Sequence, residues 1–189
     1  MQKQNISNKK VIFVVALRDF RDAEYFIPKE ILESAGVEIK TASNKKGLPA
    51  GRRGLAIGAD GGEIEIDFLV PEVRPQELDA VVFIGGPGTL KYLDNEDSYK
   101  LAKETIAREK ILAAICISPV ILAKAGVLEG KKATVWSSPM DKSAIKTLEQ
   151  YKSNYEDKPV VIDGKIITAN GPDAAEEFGE KIKELLTIV

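Results

Sequence analysis

Residues 111–119 read Ile-Leu-Ala-Ala-Ile-Cys-Ile-Ser-Pro. An unbroken apolar run over Ile111–Ile115, with no polar alternation, predicts a strand buried on both faces. Ser118–Ala125 then predicts a short helix, stopped by Gly126. A buried strand therefore turns directly into a helix, with Cys116 on the turn. Two other runs share the character of the first: Val11–Leu17 (VIFVVAL) and Asp79–Ile84 (DAVVFI), the latter closed by Gly85-Gly86-Pro87-Gly88.

Working outward, apolar residues at helical spacing predict a helix over Asp22–Ala35, ended by Gly36, with Pro28 tolerated early or causing a kink. Asp97–Glu109 and Asp173–Leu186 predict two more helices. Val37–Ala42, Glu63–Phe68, Ala133–Trp136, Val160–Ile162 and Ile166–Ala169 predict short strands, the last two joined by an Asp163-Gly164 turn. Residues 44–62, rich in Gly, Lys and Arg, form an excursion with one or two extended strands. Strands alternating with helices predict a mostly parallel sheet covered on both sides, in one domain over 1–189 with 1–9 as a flexible tail. Ligands of such sheets sit beyond the carboxyl ends of the strands. Trp136, Tyr151 and Tyr155 are assigned to core packing.

Composition narrows the chemistry. The chain has 189 residues, enough for a sizeable core, and a net charge of −2 from 27 Lys and Arg against 29 Asp and Glu. No basic block is present, so nucleic acid is not an expected partner. The longest apolar runs are about eight residues, against the ~20 of a membrane span. The polar start, Met1 to Lys10, lacks the apolar stretch of a secretory signal, so a cytoplasmic location is expected. There is one cysteine and no histidine. This excludes a disulfide framework, a thiolate or imidazole metal centre, a Ser-His-Asp triad and a Cys-His dyad. No metal or cofactor is expected.

Three loops at the carboxyl edge carry the candidate chemistry. At the Cys116 turn, helix-terminal N–H groups favour a thiolate. The cysteine is accordingly expected to titrate below ~8.5, at about 5 to 7. An inert buried thiol is the alternative. Gly85–Gly88 can bring backbone N–H donors close to an oxyanion, or simply make a tight turn. It has neither Walker nor dinucleotide spacing. The loop after the first strand, Arg18 to Glu24, offers Glu24 in a first helical turn and Arg18 beside the pocket.

In order and spacing, these loops resemble the ThiJ/PfpI superfamily, which includes PfpI intracellular proteases and the parkinsonism-associated deglycases. The resemblance is carried by Asp22-Ala23-Glu24, Asp79 through Gly88, Ala114 through Pro119, the Ala123–Lys131 segment and Thr168-Ala169-Asn170-Gly171-Pro172. It implies a flavodoxin-like three-layer α/β/α sandwich, related to class I glutamine amidotransferase domains. It further implies Cys116 as an elbow nucleophile, Glu24 as the acid beside its sulfur, and the Gly86 and Ile117 N–H groups as an oxyanion hole. Gly85, Arg18 and Ser118 are the remaining pocket candidates. A homodimer or larger assembly is implied as well.

The departures are informative. PfpI-type proteases carry His directly after the cysteine, where this chain has Ile117, and Leu90 stands where they place a partner acid. Ser118-Pro119 replaces Gly-Pro, and Ala169-Asn170 replaces Ser-Arg. A cysteine protease of that type needs an imidazole, which no copy of this chain can supply. The expected function is a Cys/Glu enzyme acting on small reactive carbonyl compounds, glyoxalase- or deglycase-like. The alternatives are a redox-responsive stress protein sensing oxidation at Cys116, and a scaffold.

Overall fold

A computed structural model of the chain describes residues 6–45 and 54–188. The chain opens with β1 (Lys10–Val14), β2 (Arg18–Phe20), α1 (Asp22–Ser34) and β3 (Glu38–Ser43). The excursion follows as β4 (Gly54–Gly58), β5 (Glu63–Ile66) and β6 (Phe68–Leu69). Next come β7 (Ala80–Phe83), α2 (Thr89–Leu93), α3 (Glu96–Ala107), β8 (Ile111–Ile115) and α4 (Pro119–Lys124). The last third holds β9 (Lys132–Ala133), α5 (Ser143–Gln150), β10 (Asn154–Tyr155), β11 (Val160–Asp163), β12 (Ile166–Ala169) and α6 (Ala175–Leu186).

Among the described residues the main sheet runs β11-β12-β8-β7-β1-β3-β6. Its pairings are parallel except β11 with β12. The apolar strands alternate faces with a two-residue period, and both faces are covered. Val11, Phe13, Ala80, Val82, Ile111 and Ala113 join α1 and α6 in one core. Ile12, Val14, Val81, Phe83, Leu112 and Ala114 join α3, α4 and α5 in the other. This is the three-layer α/β/α architecture expected from the sequence. Unbroken apolar runs are what such central strands require, because neither face meets water.

Several expectations are corrected. The strand expected to reach Leu17 ends at Val14; the chain then bends, and Arg18–Phe20, read as loop, forms β2 beside β4. Ala133–Trp136 contributes only Ala133 to a strand, β9, which pairs with β10 away from the main sheet. Helix α5 was not anticipated. Its eight residues hold three apolar positions, Ala144, Ile145 and Leu148, too few to stand out without the core they contact. Of the tail expected over 1–9, Ile6 is buried in the core and the Lys9 ammonium pairs with Asp79 at 3.3 Å. Residues 1–5, and 46–53 of the excursion, lie outside the described residues. Tyr151, expected in the core, is 37% exposed. Pro28 lies inside α1, as the span expected over Asp22–Ala35 has it, but beyond the first turn.

Candidate active site

Chain order within the sheet puts the ends of β1, β7 and β8 side by side, and the three loops of interest follow from those ends. Cys116 directly follows β8 and has φ 63°, a left-handed conformation that costs a non-glycine residue about 1–2 kcal/mol. The surrounding hydrogen bonds hold it there. Its N–H donates to Ala169 O at 2.9 Å, and its carbonyl accepts from Trp136 N at 2.8 Å. The turn lifts the thiol out of the sheet, leaving Cys116 half-buried while Ile111–Ile115 are fully buried.

Glu24 lies in the first turn of α1 and is completely buried. Gly85 fixes it: the Gly85 N–H donates to Glu24 Oε2 at 3.1 Å, and the Gly85 carbonyl accepts from Arg21 N at 2.9 Å. Only glycine fits at residue 85. A Cβ there would stand 2.5 Å from Cys116 Cβ and 2.7 Å from Glu24 Oε2. Glu24 Oε1 has no partner of normal hydrogen-bond geometry, yet the neighbouring Cys116 thiol is near enough to affect the carboxyl's titration.

Burial raises the Glu24 carboxyl from 4.5 to about 7, opposed by Cys116, the Gly85 N–H and the Arg21 guanidinium. The Cys116 thiol is likewise pushed well above its ordinary value, first by burial and then by the Glu24 carboxylate. The Ile117 and Gly86 N–H groups pull it back. A thiol titrating low, as the helix terminus suggested, is therefore corrected. The expectation gave the charge to Cys116 and the proton to Glu24; burial of the thiol and the Glu24 carboxylate outweigh the N–H donors that favoured this. The two acids form a coupled pair. Two negative charges a few ångströms apart in a poorly solvated site are costly, so the second ionisation is strongly suppressed.

The structure brings Cys116, Glu24, Gly85, Gly86 and Ile117 together. It does not do so for the other two candidates. Ser118 is fully buried and donates its hydroxyl to Ile84 O at 2.8 Å, tying the β8 turn to the end of β7. Arg18 is exposed on β2, and the guanidinium acting on Glu24 belongs to Arg21. Trp136, assigned to the core, is half-buried and supports the Cys116 carbonyl. A lone tryptophan in a loop carries no local signal for that role. Among the described residues, no group of three or more Cys, Asp and Glu side chains is placed to hold a metal, and no helix is long and apolar enough to cross a membrane.

The model of the DJ-1/PfpI family matches residues 9–185. The chain belongs to the DJ-1/PfpI family. Methanocaldococcus jannaschii MJ0967 is 40% identical over 182 residues, covering 96% of this chain and 84% of that protein. The protein named deglycase PfpI of Pyrococcus furiosus is 31% identical over 163 residues, covering 86% and 90%. Among solved structures, the ThiJ/PfpI domain protein of Brachyspira murdochii superposes with a TM-score of 0.86 at 33% identity, covering 96% and 99%. Drosophila melanogaster DJ-1beta gives 0.77 at 28%, covering 95% and 91%. The family and its three-layer fold are thereby established.

Proposed function

We propose that this DJ-1/PfpI-family chain is a Cys116/Glu24-dependent enzyme acting on small reactive carbonyl compounds, of the deglycase or glyoxalase type. One observation carries the reading. A half-buried cysteine in a strained conformation stands against a fully buried glutamate whose carboxyl is raised to about 7. Relatives named as deglycases, about 30% identical, point the same way.

The pair gives up one proton near neutral pH. In that monoanion the charge rests mainly on Glu24, which titrates first. The reactive form is its tautomer, in which the thiol proton has passed to Glu24 and Cys116 is the thiolate, facing the Gly86 and Ile117 N–H groups. The sulfur attacks the aldehyde carbon, and the carbonyl π pair moves onto oxygen. Those two N–H groups hold the developing oxyanion. Glu24 protonates it to a hemithioacetal and then, as carboxylate, removes the C–H proton of that same sulfur-bearing carbon. The electron pair forms an enediol as the hydroxyl proton passes to the former ketone oxygen, and the proton on Glu24 returns to the former ketone carbon. With methylglyoxal this gives a thioester, which water hydrolyses to lactate and free thiol.

The test is methylglyoxal consumption with lactate formation. Cys116→Ser should lower kcat/KM by about 10²-fold or more. Turnover unchanged in that variant, or absent from the wild type, overturns the assignment. The half-exposure of the sole thiol favours a second reading, oxidation of Cys116 to a sulfinate that accepts a hydrogen bond from Glu24. A peroxide-driven gain of two oxygens without aldehyde turnover selects it.

A further inference from the structure

Helix α1 begins without the usual cap. Arg21 occupies the N-cap position in an extended conformation and makes no side-chain cap hydrogen bond. The first-turn acid, Asp22, points outward to the tip of the β4–β5 hairpin. Its Oδ1 accepts from Gly62 N at 2.6 Å and its Oδ2 from Asp60 N at 2.9 Å. The tip is closed by Gly58 N donating to Gly62 O at 2.7 Å, and is fastened to β2 by Ala59 N donating to Phe20 O at 2.8 Å. Arg21 pairs with Asp60 at 3.3 Å on the same tip. A side chain at residue 58 or 62 would collide with the Asp22 carboxylate, so the glycines form a fitted cradle.

Two residues along a helix face nearly opposite sides, at about 100° per residue. The turn carrying Asp22 on the hairpin side therefore carries Glu24 on the thiol side, where Gly85 grips it. We infer that Asp22 is a positioning residue: clamped by the hairpin tip, it sets the place of the first turn of α1 and so holds Glu24 against Cys116. Charge-assisted hydrogen bonds to two backbone N–H groups suit that task, being stronger and more directional than neutral ones. Releasing the clamp lets the turn move. The carboxyl, held by one hydrogen bond of 3.1 Å, then shifts and admits water. Relief of its desolvation, the largest cause of its raised value, lowers it by more than a lengthened Gly85 hydrogen bond raises it. The groups that face Glu24, namely Cys116, the Gly85 N–H and the Arg21 guanidinium, are unchanged in number, so the variable is position.

The inference rests on Glu24 and Cys116 being the reacting pair, but its test does not use turnover. An inactive wild type would therefore refute the proposed activity without touching it. The readout is an infrared pH titration of the neutral carboxyl band of the full chain, identified by its loss in Glu24→Gln. The wild-type midpoint is expected at about 7. Gly58→Ala keeps every charge and has no left-handed φ to strain it, and Asp22→Asn removes one hydrogen-bonding oxygen. Each should lower the midpoint toward 4.5 by about half a unit or more, and the double variant should shift it little further. Iodoacetamide alkylation of Cys116 should change its pH profile in step. A midpoint unmoved in folded Gly58→Ala, with only the urea midpoint lowered, reduces Asp22 to a hairpin fastener and overturns the proposal. If Asp22→Asn fails to fold, Gly58→Ala decides alone.

Discussion

Glu24 is a carboxyl taken entirely out of water, and that burial makes the folding stability depend on pH. Its folded value, about 7, lies above its ordinary 4.5. A group raised on folding contributes stability that is fully present below the unfolded value and is lost as pH rises through the folded one. The window is therefore pH 4.5 to 7. With no histidine in the chain, little else titrates between pH 5 and 8. The carboxylates at Asp141, Glu156 and Asp163 are shifted down, so their contributions change below that range. Urea unfolding of the wild type should lose roughly 2–3 kcal/mol between pH 5 and 8, while Glu24→Gln should stay nearly level. Parallel curves for the two proteins would show that Glu24 is not buried as a neutral acid.

At the scale of elements, α1 delivers Glu24, and its seat on α6 is set by one close approach. Gly179 of α6 faces Pro28 of α1, and a Cβ at residue 179 would come within 2.9 Å of Pro28 Cα and 3.0 Å of Ile31 Cδ1. Backbone cannot yield as a side chain can, so Gly179→Ala must push the helices apart. We expect a loss of about 1–3 kcal/mol in urea unfolding, despite the better helix propensity of alanine. An unchanged or raised stability would mean the helices have slack. The proline is accounted for by the same contact. It gives up one helical hydrogen bond, to the Glu24 carbonyl, and provides a flat surface against which a glycine-bearing helix can pack. Helix α3 has a conventional start by comparison, with Asn95 Oδ1 accepting from Ser98 N at 3.2 Å.

For the molecule as a whole, the missing histidine limits the chemistry more firmly than any feature present. No assembly of identical chains can supply an imidazole to Cys116. Purified protein should leave casein and peptide amides intact by any cysteine-dependent route. Cleavage abolished by Cys116→Ala in a preparation free of host protease would contradict this.

Much was legible in the residue order because its physical cause is local. Unbroken apolar runs at 11–17, 79–84 and 111–115 imply central strands of a covered sheet, since only such strands bury both faces. Glycine clusters mark turns by backbone preference, the change of pattern at Cys116 marks the strand-to-helix turn, and the resemblance of the loops extended this to the family and to the Cys116/Glu24 pairing. What only the tertiary structure decided is long-range. The thiol's upward shift arises from desolvation and from a carboxylate 92 positions away in the chain. Ser118 looked like a pocket residue until Ile84, just past β7, supplied a carbonyl for its hydroxyl. Nothing local to Asp22 indicates the hairpin tip that closes around its carboxylate. Periodicity reports which face of an element is buried, whereas the energy of a charge depends on everything that folding brings beside it.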